Sequence, residues 1–208
     1  MATTFVTLVL DESGSMEDVR DKTIAGFNEY LHTLQQDEET DYRFSLLKFD
    51  SNHQTFLHVN TPVEKVRKLD RETYKPGAGT PLYDAVGKAI TQASHTELGK
   101  KDRVFVAILT DGYENQSIEF NAKQLANMIK EREATDKWAF VYLGADQNAI
   151  LEAAKFGINA GQTIAFDSSN THTVVNALYA GTSGYSKGLT AAASTQAIKT
   201  AITTAGDA

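Results

Sequence analysis

Apolar residues along this chain recur in two rhythms. Residues 5–10 and 104–109 are short, nearly continuous apolar runs rich in β-branched and aromatic side chains, as expected of strands covered on both faces. Residues 44–49 and 138–143 read the same way with more polar admixture, 163–166 is a weaker strand, and 55–59 fits an edge strand. Between these runs the spacing changes to three and four. Ile24, Phe27, Leu31 and Leu34 form one stripe, Leu82, Ala85, Val86, Ala89, Ile90 and Ala93 a second, and Ala122, Leu125, Met128 and Ile129 a third. Each is the pattern of a helix with one buried face. A short helix is expected through Ile150, Leu151 and Ala154, and another through Val174, Val175, Leu178 and Tyr179. Strand and helix therefore alternate, which predicts an α/β fold: a doubly wound, mostly parallel central sheet with one antiparallel edge strand and helices on both faces.

The pattern weakens toward the end. Gly181, Gly184 and Gly188 interrupt the last strong stripe, and glycine inside a helix costs about 1 kcal/mol relative to alanine. Beyond Leu189 the chain is rich in Ala and Thr, with only Ile198 and Ile202 as a thin stripe. The expectation is one domain over residues 1–188 and an extension over 189–208 that is a marginal helix, a packing arm or a flexible tail.

Composition narrows the partners. A formal net charge of -7 argues against charge-driven nucleic-acid binding, which needs Lys and Arg on phosphates, and leaves room for a cation. The absence of cysteine excludes disulfides, thiolate catalysis and Cys-ligated metals. No apolar run approaches the ~20 residues that span a bilayer, and the first residues lack the basic and apolar regions of a signal peptide. A soluble, cytoplasmic protein with no membrane and no nucleic-acid partner is the expectation.

The candidate chemistry lies in three pieces that the predicted sheet brings to one edge. Asp11-Glu12-Ser13-Gly14-Ser15 follows the first strand, Asp111 follows the strand at 104–109 and Thr110, and Gly79-Thr80-Pro81 opens the second helical stripe. In doubly wound sheets ligands sit outside the carboxyl ends of the strands. Asp11, Ser13 and Ser15 offer oxygens at alternate positions, Gly14 removes a Cβ that would obstruct a tight turn, and a hard divalent cation takes such oxygens. The same residue types are ordinary turn formers. Thr80 before Pro81 likewise reads as an N-cap and first helical residue, a use that leaves a hydroxyl lone pair for an ion.

Taken together, D-E-S-G-S at 11–15, G-T-P-L-Y-D at 79–84 and T-D-G at 110–112 resemble the von Willebrand factor type A family and its metal-ion-dependent adhesion site (MIDAS). The alternation that contains them covers about residues 3–180. The resemblance implies that Ser13 and Ser15 bind a metal directly, Thr80 directly or through water, and Asp11 and Asp111 largely through waters and hydrogen bonds. It implies Mg²⁺, with Mn²⁺ an alternative and Ca²⁺ less favoured because so few carboxylates touch the ion. The implied function is an intracellular, metal-dependent protein-binding module whose ion accepts an Asp or Glu carboxylate from a partner protein.

A catalytic reading stands beside it. Asp11-Glu12-Ser13 with Asp111-Gly112-Tyr113-Glu114-Asn115 superficially resembles the acidic loops of haloacid-dehalogenase-type phosphatases, which would make Asp11 the nucleophile of a metal-dependent phosphoryl transfer. That pattern needs a second aspartate two residues on, and this chain has Ser13 there. His32, His53, His58, His95 and His172 show no zinc-ligand spacing. Tyr74, Tyr83 and Tyr113 lie close in sequence to the proposed metal loops, where they could surround a ligand; packing or solvent exposure is the expected use of each.

Overall fold

In a computed structural model, which describes residues 2–145 and 148–206, the apolar runs pair into one six-stranded sheet. Its strands are β1 (Thr3–Asp11), β2 (Asp41–Phe49), β3 (Gln54–Pro62), β4 (Arg103–Thr110), β5 (Trp138–Gly144) and β6 (Thr163–Ala165), in the order β3-β2-β1-β4-β5-β6. All neighbours run parallel except β3, which lies antiparallel on β2 as the edge strand. The chain moves outward from β1 to β2 on one side and resumes at β4 on the other, so the topological switch falls between β1 and β4. Leu10 stands opposite Leu109, and the chain leaves these two strands side by side.

Alternation along the central strands divides the core in two. Val6, Leu8 and Leu10 of β1 and Phe105, Ala107 and Leu109 of β4 face α1 (Arg20–Gln36), α5 (Thr171–Ser186) and α6 (Ala191–Gly206). Val9, Val104, Val106 and Ile108 face α2 (Leu82–Ser94), α3 (Ala122–Glu133) and α4 (Ala149–Lys155). Because both faces are covered, the central strands carry apolar side chains at successive positions, which is why they read as continuous runs.

Two local expectations change, and the segment after Leu189 takes one of the forms expected of it. Helix α5 continues through Gly181 and Gly184 to Ser186, since these glycines are where other residues approach. A Cβ on Gly181 would lie 2.5 Å from Ile198 Cδ1, and one on Gly184 would lie 2.7 Å from Leu189 Cδ1. Gly188 then ends the helix at φ 108, with Leu189 N donating to Gly184 O and Gly188 N to Tyr185 O, a Schellman closure. The segment after Leu189 forms α6, which packs on α5 with Ser194, Thr195 and Ile198 buried. In α4 the buried residues are Ala149, Glu152 and Ala153, while Ile150 and Leu151 face solvent. Helix α4 comes so close to the end of β5 that a Cβ on Gly144 would sit 2.4 Å from that of Ala149, so this point of contact takes only small residues.

Candidate metal centre

The switch point gathers the predicted residues. Asp11 is the last residue of β1 and fully buried. Its Oδ1 accepts from Ser13 N at 2.7 Å, and its Oδ2 accepts from the Thr110 hydroxyl at 2.5 Å. Ser13 precedes a 3-10 turn, Gly14–Val19, that leads into α1. The Ser13 and Ser15 hydroxyl oxygens lie 3.2 Å apart, and Ser15 Oγ donates to Asp111 Oδ1 at 2.6 Å. Asp11, Ser13, Ser15 and Asp111 thus form one hydrogen-bonded chain across the ends of β1 and β4. Thr80 is buried beside it: a Cβ built on Gly112 would lie 3.0 Å from Thr80 Oγ1 and 3.7 Å from Asp11 Oδ2.

Thr80 does not cap α2 as expected; Pro81 occupies the N-cap and the helix begins at Leu82. The first free amides are served from a distance, Tyr83 N donating to Glu114 Oε2 at 2.9 Å and Asp84 N to Ser117 Oγ at 3.0 Å. Thr80 is fixed through its backbone instead, its N donating to Asn115 Oδ1 at 2.9 Å and its O accepting from Asn115 N at 3.2 Å. The left-handed position of the preceding loop falls on Ala78, φ 57, between two glycines that do not need their freedom. Ala78 O accepts from Gly14 N at 3.1 Å, so this conformation joins the Thr80 loop to the serine loop.

Several supporting residues were invisible to sequence spacing. Tyr74 is fully buried and its hydroxyl donates to Asp11 O at 2.6 Å. Glu12 turns away from the site, taking Lys48 Nζ on both oxygens at 2.7 and 2.8 Å and Lys75 N at 2.5 Å. Asp84 accepts the amides of Ile118, Glu119 and Phe120. The available signals were a threonine ending an apolar strand, acids next to the recognised motifs and the closeness of Tyr74 to the loops in sequence, and none of these specifies a partner.

The electrostatics separate Asp11 and Asp111 from these other acids. Burial pushes Asp11 up to about 6, against hydrogen bonds from Thr110 and Ser13 that lower it, and Asp111 adds like charge. Burial also raises Asp111, and Asp18 adds to that. Among the described residues no cation acts on either carboxylate, and Lys48 of the adjacent strand is committed to Glu12. A buried carboxylate and a half-buried one, which among the described residues face neutral donors and other acids, form a site short of positive charge.

The donor set fits a small divalent ion. Two oxygens bound at right angles at about 2.1 Å lie about 3.0 Å apart, and the serine hydroxyls stand at 3.2 Å. Among the described residues no three His, Cys, Asp or Glu side chains cluster as a metal-holding group, so an ion here would rest on hydroxyls as much as carboxylates. The histidines lie elsewhere in local contacts: His172 with Glu29, His53 with Asp50, and His58 accepting from Arg67 N. A nucleophilic Asp11 is poorly served, because the residue is fully buried and both its oxygens already accept hydrogen bonds.

A family model described as the von Willebrand factor type A domain matches residues 6–180. Comparison with curated proteins finds no match. Among solved structures, the fold is similar to the vWF domain of the type V pili tip protein Mfa5 from Porphyromonas gingivalis, at 11% identity and TM-score 0.61, covering 86% of this chain and 94% of that one. It is also similar to proximal thread matrix protein 1 from the mussel byssus, at 12% identity and TM-score 0.58, covering 84% of this chain and 44% of that one. A further structure of the mussel protein, with a zinc-occupied MIDAS motif, matches at 12% identity and TM-score 0.54, covering 84% of this chain and 45% of that one. The chain spans less than half of the mussel protein's length.

Proposed function

This chain belongs to the von Willebrand factor type A family, and from that membership we propose that it is a divalent-metal-dependent protein-binding module. Members of this family generally mediate metal-dependent protein interactions. In this reading Ser13, Ser15 and Thr80 supply hydroxyl ligands, while Asp11 and Asp111 hold those hydroxyls and the surrounding waters. Mg²⁺ is the ion we assign, with Mn²⁺ as its substitute. When bound, the ion supplies an electrophilic position for an Asp or Glu carboxylate of a partner protein.

One observation carries the reading: Asp11 is fully buried, its carboxylate oxygens accept from Ser13 N and the Thr110 hydroxyl, and among the described residues no cation acts on it. A buried carboxylate without a counter-charge is destabilising unless something positive joins it. Neutral hydroxyls nearest the ion leave much of its charge uncancelled, so a partner's carboxylate gains from completing the site. Desolvation of both groups offsets part of that gain.

The test is a calorimetric titration of purified protein with Mg²⁺ and Mn²⁺. Binding at one site is expected for the wild type and its loss for Ser13→Ala/Ser15→Ala, with unchanged far-ultraviolet circular dichroism. A wild-type protein that takes up neither ion, or a folded double variant that binds as tightly, refutes the assignment.

A further inference from the structure

We infer that a cleft at the amino ends of β4 and β5, on the opposite edge of the sheet from the candidate metal centre, binds a small zwitterion of the α-amino acid class. The carboxylate of the ligand meets Arg103 and the first turn of α6, and its ammonium meets Glu133. The inference stands apart from the metal-dependent reading.

The cleft has a volume of about 450 Å³, within the range of small-molecule sites. One wall is Arg103 at the start of β4, Tyr185 near the end of α5 and the turn into α6; the other is Glu133 at the end of α3, with Asp136 and Gln162. The family model ends at residue 180, so Tyr185 and the turn from Gly188 to Ala192 lie beyond the matched span. The cleft is thus closed by a part of the chain that the family pattern does not reach.

Tyr185 gives the first sign of a ligand. It is 2% exposed, and among the described residues its hydroxyl has no hydrogen-bond partner. A buried hydroxyl left unpaired is destabilising. The Arg103 guanidinium lies over the Tyr185 ring, its carbon 4.5 Å from the ring centre, and the charges of Arg103, Asp136 and Glu133 all act on the phenol. These three residues line the cleft, so the orphan hydroxyl lies among the charges of the cleft.

Those charges are divided between the walls and are unspent. Arg103 Nη1 donates to Tyr185 O at 2.7 Å and to Leu189 O at 3.1 Å. These bonds fix the guanidinium, and among the described residues its other nitrogens have no acceptor. Beside it, Thr190 Oγ1 accepts from Ala193 N and Thr190 O from Ser194 N. The amides of Ala191 and Ala192 are left at the positive end of the 16-residue α6. On the other wall Glu133 is half-buried, burial raises its carboxyl, and it accepts from Nε2 of the buried Gln162. Among the described residues neither Glu133 nor Asp136 has an ion pair. Arg132, next to Glu133 in sequence, is turned to Ser94 and Glu131.

This division selects the ligand. A simple anion drawn to Arg103 and α6 would be repelled by Glu133 and Asp136, and a simple cation would meet the reverse. A zwitterion suits both walls, and either of its charged groups gives the Tyr185 hydroxyl the partner it lacks. Leu189 and Trp138 line the same cleft and offer apolar surface to the ligand's side chain.

The experiment screens the free L-amino acids at millimolar concentration by thermal shift on the full chain in EDTA, then follows the strongest by calorimetry. At least one is expected to bind, and its analogues lacking the amine or the carboxylate about tenfold or more weakly. Glu133→Gln keeps an acceptor for Gln162 and removes the charge, so it should weaken binding by a similar factor. Tyr185→Phe removes an unpaired hydroxyl: the ligand-free variant should melt at or above the wild-type temperature and yet bind the amino acid more weakly. A purely structural tyrosine would not separate these two readouts. If no amino acid binds, or if binding ignores both variants, the site is overturned. An analogue with one charge that binds as tightly as the amino acid overturns the zwitterion. Because every arm is run in EDTA, failure here leaves the Mg²⁺ titration untouched, and failure of that titration leaves this site standing.

Discussion

Replacing Thr110 by valine keeps the shape at the end of β4 and removes one hydroxyl. That hydroxyl donates to Asp11 Oδ2 at 2.5 Å, accepts from Gly112 N at 3.0 Å and is 1% exposed. It therefore supplies one of the two hydrogen bonds that Asp11's carboxylate oxygens accept. A hydrogen bond to an ionised group contributes about 1.5–3 kcal/mol, and loss of a residue that orients a ligand typically lowers metal affinity about 10–100-fold. The two ranges agree, since about 1.4 kcal/mol is tenfold.

The loss should depend on pH. The Thr110 bond lowers Asp11 against a burial effect that already holds it at about 6, so its removal moves the group further up. The metal must then displace a proton more of the time, and the penalty grows as pH falls toward 6. Calorimetric titration with Mn²⁺ at pH 6 and pH 8 measures this for wild type, Thr110→Val and Thr110→Ser. Serine keeps the hydroxyl and should bind close to wild type. A valine variant that titrates like wild type at pH 6, or a serine variant as weak as valine, refutes the role given to this hydrogen bond.

Asp11→Asn tests the charge deficit directly. Folded Asp11 stands at about 6 against an ordinary 3.8, so the folded chain holds this proton more tightly than the unfolded one. Metal-free stability from this group is therefore greatest below about pH 4 and falls as pH rises to about 6, by roughly 3 kcal/mol in all. Urea unfolding without metal should show Asp11→Asn gaining on wild type over that window, with Mg²⁺ stabilising only wild type; a pH-independent difference contradicts it. Glu12→Ala leaves Lys48, whose side chain is 11% exposed, without its partner. It should lower stability by about 3–5 kcal/mol, with most recovered in Glu12→Leu/Lys48→Met; full stability of the single variant in urea would contradict this. Gly181→Val places side-chain atoms where Ile198 Cδ1 and Ser194 O lie 2.5 and 3.0 Å from a Cβ. Overpacking of about 1–3 kcal/mol should appear as a lower melting temperature, eased by Ile198→Ala; a variant as stable as wild type would show that α6 can move off α5 freely.

The parts legible in the sequence are those that a periodic pattern determines. All six stripe residues expected for α2 are buried, and the central strands announce themselves because both faces are covered. What was not legible depends on pairs distant in sequence. Gly181 reads as a helix breaker until Ile198 fills the space it leaves. Ile150 and Leu151 read as a core stripe, yet the close approach of Ala149 to Gly144 turns them outward. At the site, Asp11, Ser13, Ser15 and Asp111 are recognisable as a set because their chemistry is in the residue types. Thr80 is placed beside them while its expected capping role passes to Glu114 and Ser117, 31 and 33 residues away from their partners.

The acids of this sheet edge divide by what they hold. Glu12 binds Lys48 and Lys75 N, Asp50 accepts from Asn52 N and His53 N, Asp84 takes three amides, and Glu114 accepts from Tyr83, Gln116 and Ser117. Glu12, Asp84 and Glu114 fasten one segment to another, Asp50 closes its own turn, and all four have their charge met by the protein. Asp11 and Asp111 accept from neutral groups, the Ser13 amide and the Thr110 and Ser15 hydroxyls among them, and burial raises both. Removing a fastening acid should therefore loosen the frame while leaving a charge-deficient centre behind. Neutralising Asp11 should do the reverse: it relieves the folded chain and removes the reason for a cation to bind. Opposite signs on metal-free stability for Glu12→Ala and Asp11→Asn at neutral pH distinguish the two kinds of carboxylate. The same sign for both would mean that the centre is held together by the protein alone and has no call for an ion.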